Sequence, residues 1–410
     1  MSRPWAIALG LAAAGCSSTP TVPGQGGPDS TTFGSPQPLI VAGVTVVSMA
    51  DESAEAGRVV VVRNGRIEAI QDAGAPVPSD GVIINGAGKY LMPALIDMHV
   101  HIRREELSQY LKAGVATVRN MWGYSTLAAR RDSIQAGLLL GPTIISVSSG
   151  LDGSPPSWPE TQFVDDPRLA DSVVGVQADR GYRAVKIYQR LSRASFDSIV
   201  ASARRRGLDY LGHVPTAVGI RDALAARMRS VEHLGGYNAA VSRSGNSGGF
   251  NSWIDADPAR YAELIGLTVA NGVWNCPTLA IGRRILGESA SAGQARANYY
   301  RFVRELVLAG GKIVAGSDAG IDRTPAGTGL HEELRELVAA GLSLFQALRA
   351  ATIDAGLLLG RPDLGVLEVG ASADLLLLDD NPLANIAAIA QPAGLVRRGQ
   401  WLSRAALGRL

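Results

Sequence analysis

The chain has 410 residues, 46% of them hydrophobic and 19% charged, which is long and apolar enough to bury a large core. A formal net charge of +2 at pH 7 excludes the strongly basic surface that is typical of nucleic-acid-binding proteins.

The first 36 residues have the composition of a targeting segment followed by a spacer. The stretch MSRPWAIALGLAAAGC predicts a signal peptide over residues 1–16, too short to span a bilayer as a mature helix. Its end, LAAAGC, resembles a bacterial lipoprotein signal, which implies lipid on Cys16 and an exported protein of the periplasm or cell envelope. A plain signal peptide cleaved nearby is the alternative. Residues 17–36, rich in Ser, Thr, Pro and Gly, predict a flexible linker.

Short β-strands are predicted next, at residues 37–93, with an Asn-Gly turn at Asn64-Gly65. The β pattern returns after Gly360 in GVLEVGASADLLLLDD and GLVRRGQWL. The simplest arrangement places both ends of the chain in one small domain. We therefore predict a composite β-sandwich domain from residues 37–93 and 361–410.

Between these segments, residues 94–360 alternate apolar strands of about five residues with amphipathic helices of about ten to fifteen. The predicted strands are Leu95–His99, Ala116–Met121, Thr143–Ser149, Ala184–Tyr188, Tyr210–Val214, Ser230–Leu234, Trp274–Leu279 and Ile313–Asp318. Eight such strands with crossover helices are typical of a (β/α)₈ TIM barrel, so the predicted fold class is α/β.

The histidines are concentrated at the ends of these strands. Of the 5 in the chain, His99 and His101 end the first strand, and His213 and His233 end the fifth and sixth. Residues i and i+2 of a strand point to the same side, so His99 and His101 project together. With Asp318 at the end of the eighth strand, the pattern predicts a metal site at the mouth of the barrel.

Lys186, within the apolar stretch YRAVKIYQR, is unusual in a chain that carries most of its positive charge on arginine. A buried ammonium is costly, but a primary amine can become neutral and react with CO₂ to form a carbamate that bridges two cations. The alternatives are a lysine that reaches solvent or pairs with a carboxylate.

The motifs MPALIDMHVH, AVKIY, GHVP, SVEHL, AGSDAG and HEELRELVAAGLSLFQALRAAT resemble the metal-dependent amidohydrolase superfamily over nearly everything after residue 37. Within it, the chain is most similar to the imidazolonepropionase-like and prolidase-like (Xaa-Pro dipeptidase type) branch. The family usually has glycine where Ala94 stands. Because imidazolonepropionase itself uses one metal and no bridging lysine, Lys186 favours the binuclear members.

This resemblance implies a ligand set and a reaction. His99, His101 and Asp318 would hold one divalent ion, His213 and His233 a second, and carboxylated Lys186 would bridge them. Zn²⁺ suits nitrogen and carboxylate ligands, as do Mn²⁺ and Co²⁺. Metal-activated hydroxide would attack an amide of an N-acyl amino acid or dipeptide-like substrate, with Asp318 as proton shuttle.

Two other functions stay open on the sequence. The same site would serve a lactone, cyclic amide or phosphoester hydrolase, and the scaffold would also serve a non-catalytic metal-holding binding protein. The expected partner is a small amide or peptide, with membrane contact only through Cys16 and with oligomers possible.

Residues around the mouth are candidates for substrate contact. Tyr188 follows Lys186 by two residues and is predicted to bind substrate or to pack as an aromatic. His331 opens a helix, and the resemblance makes it substrate-facing; a surface helix start is the alternative. Asp97 is predicted to support His99 or to make an ordinary strand-end hydrogen bond, and Arg323 to meet an anionic substrate group or solvent.

Two loops are expected to enclose the pocket. The segment Gly235–Trp253, polar and rich in Gly and Ser, predicts a mobile lid over the metals or a disordered insertion. The loop SSGLDGSPPSWPE places Trp158 at the wall of the pocket.

Overall fold

The computed structural model of the protein describes residues 37–155, 157–245, 249–321 and 324–410. The predicted signal peptide, the linker and Arg323 lie outside these ranges. Within them, no helix combines the length and the apolar character needed to cross a membrane. Cys276, the cysteine of the described part of the chain, is buried and has a free thiol.

The strands fall into two groups with different partners. The group that begins and ends the described chain comprises β1 Leu39–Val46, β2 Glu55–Arg63, β3 Arg66–Asp72, β4 Val82–Asn85, β5 Tyr90–Pro93, β16 Leu375–Leu378, β17 Gly394–Arg397 and β18 Gln400–Ser403. The group between them comprises β6 Leu95–Val100, β7 Val115–Asn120, β8 Thr143–Ser146, β9 Gly150–Asp152, β10 Gln162–Phe163, β11 Ala184–Ile187, β12 Asp209–Gly212, β13 Ser230–Glu232, β14 Trp274–Cys276 and β15 Lys312–Ile313.

The α-helices follow strands of the second group in most cases. They are α1 Leu107–Lys112, α2 Leu127–Gln135, α3 Ala170–Asp179, α4 Arg193–Arg205, α5 Gly219–Ala225, α6 Tyr237–Val241, α7 Tyr261–Asn271, α8 Leu279–Leu286, α9 Ala290–Leu308, α10 Thr328–Ala339, α11 Leu344–Ala350, α12 Ile353–Leu358 and α13 Arg404–Gly408. Short 3-10 helices span Arg104–Glu106, Pro167–Leu169, Gly249–Asp255, Pro258–Arg260 and Ile386–Ala390.

The first group forms one mixed sheet of eight strands in the order β18-β17-β16-β5-β1-β2-β3, with β4 beside β1. β5 pairs antiparallel with β16, so strands from the two ends of the chain share this sheet. The predicted hairpin turn is present: Asn64 and Gly65 have φ of 51° and 73° and join β2 to β3. Positive φ at both central residues is the geometry for which Asn-Gly is favoured.

The second group forms two parallel sheets, β6-β7-β8 and β10-β9-β11-β12-β13-β14-β15, which follow chain order except that β10 lies outside β9. Each predicted strand of this region has a counterpart, but several end earlier than predicted, and β15 has two residues. Backbone hydrogen bonds also link the two sheets: Met98 N to Ala315 O at 3.0 Å on one side, and Ser148 N to Ala184 O at 3.1 Å on the other.

Two functional candidates beyond the parallel strands have a left-handed backbone. His233, directly after β13, and Asp318, which follows β15, both have a φ of 58° and so lie outside the extended conformation. Because the strands are parallel, the residues that follow them lie at one end of the two sheets, where the functional candidates are found.

Candidate metal centre

Four histidine rings meet at the carboxyl ends of the parallel strands. The ring centroids of His99 and His101 are 5.5 Å apart, those of His99 and His233 4.6 Å, and those of His213 and His233 5.0 Å. The Nε2 atoms of His99 and His101 lie 3.4 Å and 3.2 Å from Asp318 Oδ1. The structure thus brings together the five histidine and aspartate side chains that the sequence places at strand ends.

Three of these rings are oriented by a neighbour at Nδ1. His99 Nδ1 lies 2.8 Å from Glu232 Oε2, and His233 Nδ1 lies 2.7 Å from Thr278 Oγ1. His213 Nδ1 lies 3.0 Å from the side-chain amide of Gln189. A ring held at Nδ1 presents Nε2 to the cluster, which is the arrangement found for histidines that bind metals.

The electrostatics of the site follow from burial. Burial lowers the pKa of His99 and of His213 well below the ordinary value, because a charged ring loses its hydration there. Burial raises the pKa of Asp318, but His99, His233 and His101 outweigh it and hold that pKa below the ordinary value. An imidazole binds a cation in its neutral form and a carboxyl group in its ionised form, and this site favours both forms.

Lys186 lies in β11, buried beneath aromatic rings. Its Nζ is 5.9 Å from the centroid of the Trp122 ring and 5.8 Å from that of Tyr188. Burial lowers its pKa to about 8, against the opposing effect of Glu232 and Asp318. At neutral pH this amine is therefore neutral far more often than an exposed lysine, which is the form that reacts with CO₂.

The donor set fits a metal. One ligand atom each from His99, His233 and Asp318 lie within 4.8 Å of one another. Among the residues that the structure describes, His99 Nε2 and Asp318 Oδ1 are buried and make no hydrogen bond. Buried polar atoms without partners are costly, and a cation between them would satisfy both.

Residues behind the cluster fix its geometry. Asp97 is fully buried and accepts hydrogen bonds from Ser317 N at 2.9 Å and Ser317 Oγ at 2.5 Å. This holds the backbone immediately before Asp318. Gly320, with φ of 93°, follows; a Cβ there would lie 2.3 Å from the carbonyl oxygen of His101, so glycine is required for the close return of the chain.

The sequence analysis missed Glu232 and Arg119, which lie beneath His99. Both are buried, and Arg119 Nη2 donates to Glu232 Oε1 at 2.9 Å and to Oε2 at 3.1 Å. Arg119 Nε also donates to Met98 O at 2.6 Å. The sequence did contain an indication that Arg119 belongs to the site. It is a charged residue inside the apolar strand VATVRN, as Lys186 is in its own strand.

Tyr188 lies at the cluster, with its ring centroid 4.3 Å from that of His213. Its hydroxyl accepts a hydrogen bond from Trp158 Nε1 at 2.5 Å. The hydroxyl proton of Tyr188 is thus available for an acceptor other than Trp158.

His331 lies within α10 and is buried against the end of α1. The residue is 3% exposed, and its Nε2 lies 2.8 Å from the carbonyl oxygen of Ala113. The surroundings of its ring are therefore described, while the substrate-facing role implied by the resemblance stays a prediction.

Two cavities flank the cluster. The first, here called the aromatic pocket, has a volume of about 230 Å³ and is lined by residues that include His101, Arg103, Trp122, Tyr124, Trp158 and Glu160. The second, here called the neutral pocket, has a volume of about 380 Å³ and is lined by residues that include Gln189, His213, Thr216, His233, Asn238 and Phe250.

The segment predicted to be a lid is largely packed where it is described. Phe250 lines the neutral pocket, with its ring centroid 6.5 Å from that of His233. Trp253 is buried against Tyr299 and Phe302. This segment therefore covers the His233 side of the cluster with a hydrophobic anchor, while residues 246–248 lie outside the described ranges.

A cluster of histidines and an aspartate at the ends of parallel strands, with a buried lysine nearby, is a candidate metal site of the kind that hydrolases use. The chain belongs to the amidohydrolase family, whose model matches residues 90–402. The predicted family is thereby confirmed.

Known proteins resemble the chain over most of its length. It is 25% identical to adenine deaminase 2 of Rhizobium meliloti (strain 1021) over 88% of this chain, and it spans 58% of that protein's length. The structure superimposes with a TM-score of 0.73 on a Bifidobacterium longum protein assigned as a prolidase, at 26% identity over 89% of this chain and 94% of the other. It also superimposes with a TM-score of 0.73 on a Xaa-Pro dipeptidase with bound methionine, at 20% identity over 90% of this chain and 100% of the other, which shows the fold.

Proposed function

We propose that the protein is a hydrolase that cleaves an amide bond in an N-acyl amino acid or dipeptide-like substrate, using two divalent metal ions. The observation that carries this proposal is the convergence of four histidines and Asp318, with His99 Nε2 and Asp318 Oδ1 buried and without a hydrogen bond among the described residues. The likeness to a protein assigned as a prolidase supports the choice of an amide bond.

The residues present would hold two ions. His99, His101 and Asp318 would bind one, His213 and His233 the other, and Lys186 as a carbamate would bridge them. Nitrogen and carboxylate donors favour Zn²⁺, although Mn²⁺ and Co²⁺ accept the same set. When bound, such a pair activates water at neutral pH and polarises the substrate carbonyl.

The chain's own residues supply the remaining functions. Asp318, whose pKa is held below the ordinary value, is ionised at neutral pH and would take a proton from water and return it to the leaving nitrogen. Tyr188, whose hydroxyl already accepts from Trp158, has its own proton to donate to a substrate carbonyl or carboxylate.

The two pockets would receive the two halves of the substrate. His101 lines the aromatic pocket, while His213 and His233 line the neutral pocket. If the amide bond to be cleaved lies between His101 on one side and His213 and His233 on the other, each of its two substituents enters a different cavity. This arrangement suits a substrate that extends to both sides of the cleaved bond.

A substrate screen with metal analysis tests this proposal. We expect about two metal equivalents per chain and turnover of N-acyl amino acids or Xaa-Pro dipeptides. Asp318→Asn is expected to lower kcat/KM on the order of 10²- to 10⁴-fold, whereas the surface variant Asp379→Asn leaves it unchanged. Activity confined to lactones or aryl phosphotriesters would reassign the substrate class. Ligand binding without turnover would identify a binding protein.

We also infer that the two parallel sheets form one closed (β/α)₈ barrel. The bonds from Met98 to Ala315 and from Ser148 to Ala184 support closure, since the first joins β6 to the segment after β15 and the second joins the segment after β8 to β11. A crystal structure in which these two junctions are open would refute it.

Export to the cell envelope with a lipid anchor at Cys16 is likewise our proposal, and it rests on the amino-terminal sequence. Cell fractionation after labelling with a palmitate analogue tests it. Label on the wild type and its loss in Cys16→Ala are expected; an unlabelled wild-type protein would contradict the anchor.

A further inference from the structure

Three aromatic side chains form one wall of the aromatic pocket. Trp122, Tyr124 and Trp158 all line it, and Trp158 is 42% exposed. Large apolar side chains are usually covered in a folded protein, so partly exposed rings grouped beside a catalytic cluster are typical of a ligand site.

Hydrogen bonds fix each of these rings in place. Trp122 Nε1 donates to Pro159 O at 3.0 Å, and Tyr124 Oη donates to Ile102 O at 3.1 Å. Trp158 Nε1 donates to the Tyr188 hydroxyl. The polar atoms of the rings are thereby used within the protein, which leaves carbon surface to contact a ligand.

Close packing adds to this rigidity at Trp122. A Cβ on Gly150 would lie 2.4 Å from the Trp122 ring, so the indole occupies space that only glycine leaves free. A wall that is ordered before the ligand arrives loses little conformational entropy on binding.

The charges at the rim of the pocket are balanced and already engaged. Arg103 Nη2 donates to Gly320 O at 2.8 Å, and Glu160 Oε2 accepts from Ser125 N at 3.1 Å. One positive and one negative side chain provide no net attraction for a charged group. The pocket therefore favours an uncharged, apolar occupant.

The pocket adjoins the atoms expected to react. His101 lines it, and His101 Nε2 is 3.2 Å from Asp318 Oδ1. A volume of about 230 Å³ suits one side chain rather than a whole peptide. The occupant is thus the side chain of a residue that flanks the cleaved bond.

We propose that the aromatic pocket is a specificity pocket for a large apolar or aromatic side chain of the substrate. Trp158 is the principal specificity-determining residue, because it contacts both the pocket and Tyr188. This inference rests on the proposed amide hydrolase activity and narrows its substrate to amides of bulky apolar amino acids.

The experiment compares N-acetyl-phenylalanine, N-acetyl-leucine and N-acetyl-alanine with the purified metal-loaded enzyme. We expect kcat/KM to be on the order of 10- to 100-fold higher for phenylalanine than for alanine. Trp158→Ala should reduce this ratio to within about threefold, and Trp158→Phe, which keeps a ring, should preserve most of it. Phe163→Ala is the matched control: Phe163 lies in β10, close to Trp158 in sequence, and is 41% exposed, but it does not line the pocket.

A calorimetric titration of the same three compounds separates this inference from the proposed function. Tighter binding of the phenylalanine compound, lost in Trp158→Ala, supports the specificity pocket. If this binding occurs but no compound is hydrolysed, the hydrolase proposal is wrong and the pocket proposal stands. Hydrolysis or binding without preference for the bulky side chain overturns the pocket. The same change in Phe163→Ala as in Trp158→Ala also overturns it.

Discussion

Glu232 lies directly beneath His99, with 2.8 Å between Glu232 Oε2 and His99 Nδ1 and with both side chains fully buried. Arg119 neutralises this carboxylate from below. The pair thus fixes the position and the tautomer of a ring whose Nε2 faces Asp318. A buried carboxylate that accepts from a histidine also increases the basicity of that ring as a metal ligand.

Replacement of Glu232 tests this role. Glu232→Gln is expected to weaken binding of Zn²⁺ about 10- to 100-fold, measured by competition with a chelator. The physical reason is loss of the charged acceptor at His99 Nδ1. Glu336→Gln removes another mostly buried carboxylate, paired with Arg283 at 2.9 Å, and serves as the control. Equal metal affinity in wild type and Glu232→Gln, at equal fold stability, would contradict the assignment.

The carbamate on Lys186 has a direct spectroscopic test. After incubation with ¹³C-bicarbonate and metal, the wild-type protein is expected to show a carbamate carbon resonance, because the buried amine has a pKa of about 8 and is readily neutral. Lys186→Met should lack the resonance and bind less metal. Lys312→Met, at an exposed lysine, should retain both. A resonance that survives in Lys186→Met would place the carbamate elsewhere.

Glu333, two residues after His331, predicts a pH dependence of stability. It is fully buried in α10, and its Oε2 accepts from Ala280 N at 2.8 Å. Burial raises the pKa of this carboxyl to about 8, from an ordinary value of 4.5. Between these pH values the native state binds more protons than the unfolded state, so the free energy of unfolding decreases as pH rises.

Urea unfolding of metal-free protein at pH 5 to 8 measures this effect. The free energy of unfolding of the wild type should fall relative to Glu333→Gln by up to about 1.4 kcal/mol per pH unit, since glutamine does not titrate. Glu332→Gln, at the neighbouring half-buried position, controls for loss of a carboxylate. A difference between wild type and Glu333→Gln that is constant with pH would show that burial does not raise this pKa.

His331 provides a test of whether its ring supports the fold or the substrate site. His331→Leu should lower the free energy of unfolding by about 1–3 kcal/mol, because the buried carbonyl of Ala113 loses its partner. The kcat/KM of the folded enzyme should change less than twofold. An increase in KM without loss of stability would instead return His331 to the substrate site.

The sequence alone identified the family and the candidate ligands. A histidine or aspartate at the end of an apolar strand can be predicted as a candidate ligand, because the carboxyl ends of parallel strands lie at one edge of the sheet. The hairpin turn at Asn64-Gly65 could also be predicted from the sequence, since its backbone conformation depends on those two residues. Lys186 could be predicted as a site residue because burying an ionisable side chain inside an apolar strand costs free energy.

Only the tertiary structure decided which side chains surround those ligands. The contacts of Glu232 with His99, of Thr278 with His233 and of Trp158 with Tyr188 join positions 133, 45 and 30 residues apart. The contact of His331 has the same origin: its position near a helix start does not determine what the ring touches, and packing against the end of α1 does. Periodicity and local preference are short-range properties, whereas these contacts depend on how distant strands and helices are brought together.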